Sequence, residues 1–93
     1  NKNIINIAGN NVNPTEIEDI LKQHDAVKDA VIYEKKNRLL GNVLTCDVVL
    51  VYNTKEAELR TFLKQRIEQN YKIPRIINFK DCLKISDSNK VLR

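Results

Sequence analysis

The sequence predicts an α+β fold, an N-terminal β-hairpin plus a small three-stranded mixed sheet covered by two helices. Three observations predict it. Runs rich in β-branched residues are bounded by polar ones, two capping signatures each precede apolar residues at helical spacing, and these elements come in the order hairpin, helix, strand, strand, helix, strand.

The first element follows from Ile4, Ile5, Ile7 and Val12, which flank Gly9-Asn10-Asn11. Glycine and asparagine tolerate the positive φ of a tight turn, so a short hairpin is expected to turn at those three residues. A helix start comes next. Asn13 suits the cap, Pro14 the first helical position, and Glu16 stands three after the cap to close a capping box. Val12 and Ile17 are placed for a hydrophobic staple around that cap, and Ile17, Ile20 and Leu21 form one apolar stripe that carries the helix to about Gln23.

Residues 27–33 and 42–52 read as strands, and the charged, glycine-ended stretch 35–41 between them reads as an exposed loop. Asn53 with Glu56 offers a second capping box, and Leu59, Phe62, Leu63 and Ile67 mark the buried face of a second helix. Lys72-Ile73-Pro74 ends that region, and residues 75–79 form a last strand before a polar tail.

Composition narrows the function. The chain has 93 residues, one domain's worth, and a chain of this size buries roughly two-thirds of its unfolded surface. That supports a modest core and no deep cleft. No apolar run approaches the ~20 residues of a membrane span, and no signal peptide opens the chain, so a cytoplasmic protein is expected. Two cysteines are too few for a disulfide framework. Cys46 alternates with Leu44, Val48 and Leu50 and is expected in the core. His24, the single histidine, has no partners for a zinc site and is expected at the surface of a helix end.

The net charge of +4 is spread along the chain without a block of like charge. Five aromatic residues make no stacking platform, and Gly9-Asn10-Asn11-Val12 lacks the second glycine of a KH loop, so nucleic-acid binding is not expected. Glu16, Glu18 and Asp19 lie in one helical turn. Glu16 is accounted for by the cap and the other two by a solvated face. Carboxylates on one exposed turn are no general acid–base pair without a pocket to separate their pKa values. With neither a glycine-rich phosphate loop nor a nucleophile elbow, the chain alone is not expected to be a catalyst.

The segment Ile5-Asn6-Ile7-Ala8-Gly9-Asn10-Asn11-Val12-Asn13-Pro14-Thr15-Glu16-Ile17-Glu18 resembles the hinge-proximal motif of the adenylate-forming (AMP-binding) superfamily, in the form typical of acyl- and aryl-CoA synthetases. Val27-Lys28-Asp29-Ala30-Val31 is similar to that family's V-x-D-A-V strand, and Gly41 falls where the family has a glycine before its central strand. Tyr71-Lys72-Ile73-Pro74-Arg75 is similar to its Y-K-V-P-R, and Ser88-Asn89-Lys90-Val91-Leu92-Arg93 to its closing S-G-K-V-L-R. The resemblance covers essentially all 93 residues.

The resemblance implies a C-terminal lid, residues 1–93, of an ATP-dependent acid–CoA ligase whose large N-terminal substrate domain lies outside this sequence. Such ligases join a carboxylic acid to AMP from ATP, then exchange AMP for the thiol of CoA. ATP and CoA are expected as substrates, Mg with ATP and held by the large domain, and none of them bound by this domain alone. The large domain is the expected partner.

Carried over residue by residue, Lys90 matches the adenylation lysine, Lys2 falls at the hinge, and Gly9 matches the loop glycine that faces CoA in the thioester-forming pose. A compact ammonium on a long stem suits Lys90, since it bridges carboxylate and phosphate oxygens as charge builds. Departures from the family pattern are Asn89 for glycine, Lys84 and Ile85 for proline and arginine, and Asn6 for a lysine. A free-standing noncatalytic interaction domain of the same fold, or the lid of an enzyme acylating a carrier protein, are the alternatives.

Overall fold

The structure is a computed structural model that describes residues 4–83. Strands β1 (Ile5–Ile7) and β2 (Asn10–Val12) form an antiparallel pair with Ile5 opposite Val12. Helix α1 (Pro14–Leu21) follows. A second sheet holds β3 (Val27–Asn37), β4 (Gly41–Leu50) and β5 (Ile76–Lys80), with helix α2 (Glu56–Arg66) and a 3₁₀ turn (Asn70–Lys72) between β4 and β5.

Its order is β3-β4-β5, antiparallel across the first pair and parallel across the second, because α2 carries the chain back before β5 begins. The expected α+β architecture of hairpin, three-stranded mixed sheet and two helices is what the chain forms. One core joins these pieces. Ile17 and Leu21 of α1, Leu59 and Leu63 of α2, and Leu44, Cys46 and Val48 of the central strand all pack in it, and Ile5 and Val12 anchor the hairpin to it.

Several local expectations are corrected. The hairpin turns at Ala8-Gly9, one residue earlier than the Gly9-Asn10-Asn11 reading, so Asn10 and Asn11 belong to β2. Ala8 (φ 52°) and Gly9 (φ 85°) both take positive φ, as a two-residue turn of the I′ kind requires. Asn13 does cap α1, accepting from the Thr15 amide at 3.0 Å. Glu16, in place of closing a capping box, faces Lys72 at 3.5 Å and ties α1 to the 3₁₀ turn.

Strands β3 and β4 extend to Asn37 and from Gly41, so most of the expected 35–41 loop is paired ladder. Asn37 makes this possible, since its side-chain oxygen accepts from the Leu39 and Leu40 amides, both at 2.9 Å, and closes the turn early. At α2, Lys55 occupies the cap with no side-chain bond, so the Asn53–Glu56 capping box is not formed; the acidic first turn (Glu56, Glu58) and basic last turn (Lys64, Arg66) complement the helix dipole instead.

His24 is not a surface residue. Its side chain is 10% exposed, Nδ1 accepts from the Ala26 amide at 3.0 Å, and Nε2 donates to Glu58 at 2.8 Å. The ring also meets Phe62 edge-on at 4.8 Å, and Arg66 lies 3.6 Å over that phenyl ring, so a short stack joins the end of α1 to α2.

Candidate functional site at the β1–β2 turn

Of the three residues singled out by sequence, Gly9 falls within the described residues; Lys2 and Lys90 lie outside them, as do Lys84, Ile85 and Asn89. The structure therefore bears on the Gly9 turn and its surroundings.

The turn is short, exposed and internally braced. The Asn6 side-chain oxygen accepts from the Gly9 amide at 3.1 Å, and its amide nitrogen donates to the Asn11 side chain across the strand pair at 3.2 Å. Asn6, noted from sequence as a departure from a family lysine, thus fixes the shape of the turn. A β-carbon placed on Gly9 would meet nothing within 4 Å. Packing within the domain does not require a glycine here; the backbone angle favours one.

Beneath the turn, the pairing of Ile5 with Val12 sets both side chains in the core, and buried Pro14 begins α1 two residues later. A three-residue strand pair is marginal alone, so its position depends on that anchorage.

A second polar region forms around residues 71–75. Arg60 on α2 is held to Glu56 at 2.7 Å and donates to the carbonyls of Pro74 at 2.7 Å and Arg75 at 2.8 Å. The Arg75 amide donates to Leu44 O at 2.8 Å, which starts the parallel pairing of β5. Sequence reasoning missed Arg60. The Glu56–Arg60 spacing of four was legible, whereas the two carbonyls lie 14 and 15 residues away and become partners through the fold. Beside this clamp, Arg60, Lys64, Asn70, Ile73, Pro74 and Arg75 line an open depression of about 320 Å³ whose cations favour an anion.

Glu18, read from sequence as part of a solvated face, accepts from the Ile32 amide at 2.8 Å, a group on the outer edge of β3. On the sheet, Asp47 accepts from Tyr33 Oη at 3.1 Å and from the Asn78 amide at 3.0 Å. Burial and the bond to Asp47 raise the Tyr33 pKa, and burial, with Asp47 and Glu18 nearby, pushes the Cys46 thiol up to about 12. These groups lie in or along the sheet, away from the turn. Among the described residues, no group of three His, Cys, Asp or Glu side chains is placed to hold a metal ion. No described helix is long and apolar enough to cross a membrane.

Comparison with known proteins adds four findings. Residues 16–90 match the family model of the AMP-binding enzyme C-terminal domain. The chain is 32% identical over 93 residues to a long-chain-fatty-acid–CoA ligase of Escherichia coli O6:H1, covering 99% of this chain and 16% of that protein. It is 33% identical over 85 residues to a 2-succinylbenzoate–CoA ligase of Bacillus licheniformis, covering 91% and 18%. Among solved structures, o-succinylbenzoate CoA synthetase from Bacillus subtilis in complex with the acyl-adenylate intermediate superposes with a TM-score of 0.83 at 33% identity, over 99% of this chain and 19% of that one. The chain spans less than a fifth of the length of each of these relatives.

Proposed function

The chain belongs to the AMP-binding enzyme C-terminal domain family, and from that premise we propose that it is the mobile lid of an AMP-forming acid–CoA ligase. The observation that carries the reading is the likeness, over 99% of this chain, to a synthetase solved with an acyl-adenylate. The lid serves a large domain that binds the carboxylic acid and ATP, and later CoA. It rotates about Lys2 between a pose for each half-reaction.

In the adenylating pose Lys90 reaches the reacting carboxylate and the α-phosphate, and its charge offsets the negative charge that builds as pyrophosphate leaves. In the thioester-forming pose the Ala8-Gly9 turn faces the pantetheine arm. Its shape suits that task. The turn is pre-shaped by Asn6, exposed, and bare of a side chain at Gly9, so backbone can lie against a thin ligand without first reorganising. The domain contributes one lysine and one loop, and the remaining chemistry belongs to its partner domain.

The test is a separation of half-reactions in the full-length protein. Lys90→Ala is expected to lower acid-dependent pyrophosphate exchange by ~10²–10³-fold, the range found for losing one preorganised charge-stabilising donor. Thioester formation from a preformed acyl-adenylate should change little. Equal loss in both half-reactions would refute the role given to Lys90.

A further inference from the structure

The β3–β4 hairpin ends in an exposed tip. Leu39 is 93% exposed and Leu40 53% exposed, side by side at the turn. Lys35, Lys36 and Arg38, all exposed, stand within four residues of Leu39, with a single acidic residue, Glu34, farther back along the ladder. Because β-strand side chains alternate, Lys35 and Lys36 flank the tip on opposite faces.

The tip is also held in shape. Asn37 accepts from both leucine amides at 2.9 Å, and Gly41 (φ 78°) lets the return strand start at once, so the leucines are presented with little ordering left to lose. This local arrangement plays no part in the core and none in the ligase reading.

We propose that this tip is a membrane-surface contact, in which Leu39 and Leu40 enter the headgroup boundary of an anionic bilayer while Lys35, Lys36 and Arg38 face its phosphates. Charge complementarity favours that occupant, since an apolar point ringed by cations matches an apolar interior beneath an anionic surface. Size favours it too. Two side chains on a projecting turn fall far short of the ~1,000 Å² that a specific protein interface needs, whereas shallow insertion needs no more than a point. The affinity is weak and reversible. Each cation near an anionic surface strengthens binding roughly fivefold, so the three together supply about a hundredfold.

The experiment is co-sedimentation of the protein with vesicles of 30% phosphatidylglycerol in phosphatidylcholine and, separately, of phosphatidylcholine alone. Binding to the anionic vesicles should fall at least ~10-fold on neutral vesicles and fall again with salt. Leu39→Ser/Leu40→Ser should weaken it by ~10-fold or more through lost apolar insertion, and Lys35→Gln/Lys36→Gln/Arg38→Gln by about a hundredfold. All five side chains are exposed, so both variants should keep the wild-type melting temperature. Equal binding of wild type and the leucine variant overturns the proposal. So does an absence of wild-type binding to the anionic vesicles, and a lower melting temperature or altered self-association in the leucine variant would then place the tip against protein.

Discussion

Gly9 offers the sharpest test of the proposed lid function, because the structure separates two reasons for a glycine. One is the backbone angle. At φ 85° an ordinary L-residue costs roughly 1–2 kcal/mol, and asparagine a fraction of that. The other is room for an incoming ligand, which the domain cannot supply or withhold by itself, since an added β-carbon meets nothing within 4 Å. Gly9→Ala should therefore lower the melting temperature by about 4–16 °C, at 4–8 °C per kcal/mol for a domain of this size. Gly9→Asn should lower it much less, while adding the larger side chain. Under the proposed thioester-forming pose the two variants should then exchange rank in function. Gly9→Asn should slow thioester formation from a preformed acyl-adenylate by ~10²-fold, the penalty typical of a misplacement of about 1 Å, and leave pyrophosphate exchange nearly unchanged. The assay is stopped-flow or quenched-flow measurement of each half-reaction in the full-length protein. If Gly9→Asn retains both half-reactions while Gly9→Ala impairs them, Gly9 is a turn residue and nothing more, and its place opposite CoA is refuted.

Three further outcomes follow from the same coordinates. The Cys46 thiol ionises near 9.0 when unfolded but near 12 when folded, so its contribution to stability is complete below pH 9 and is lost as pH rises from 9 towards 12. Between pH 7 and pH 10 wild type should lose about 1.4 kcal/mol more than Cys46→Ala in urea unfolding, and equal losses would contradict a buried neutral thiol. Glu18→Ala removes the acceptor for the Ile32 amide on the outer edge of β3 and should cost about 1–3 kcal/mol; hydrogen exchange should show the Ile32 amide losing protection, and an amide that stays slow would mean another acceptor serves it. Ala8→Asn replaces a residue strained at φ 52° by one that tolerates that region, so the melting temperature should rise by a few degrees, roughly 0.5–1 kcal/mol; a fall would mean the alanine methyl contributes packing that outweighs the strain.

What the sequence disclosed, and what it hid, divides along physical lines. Elements built from local signals were legible: the start of α1 at Asn13-Pro14, the apolar stripes of both helices, and Cys46 in the core. The hairpin turn was misplaced by one residue because asparagine and glycine both tolerate positive φ, and because alanine at Ala8 gives no turn signal at all. Lys35 and Lys36 looked like loop because charge usually marks one. Here they are paired in the ladder with their own side chains exposed, so polarity and pairing do not conflict. His24 was illegible for a different reason. Its environment is made by Glu58, Phe62 and Arg66, residues of another helix that the fold brings to it. At the candidate site, Gly9 was readable as part of a motif, whereas the brace from Asn6 was not, since an asparagine three residues before a glycine has many possible partners until register is known.

The same geometry keeps the rigid core apart from the proposed CoA-facing turn. The core lies between the helices and one face of the central strand, and the perturbed titratable groups, Tyr33 and Cys46, lie in that sheet. The Gly9 turn, by contrast, projects from a strand pair of three residues a side, whose independent stability would be marginal. Its conformation survives because three constraints act in series: Ile5 and Val12 bury the root, Asn6 bonds the tip, and Asn13 with Pro14 commits the chain to a helix directly afterwards. Under the proposed function, such a loop would reach CoA already shaped, so the free energy of ordering it would be met during folding and not during each turnover. The turn nonetheless carries an alanine at Ala8, strained at φ 52°. A turn chosen for stability alone would favour asparagine there.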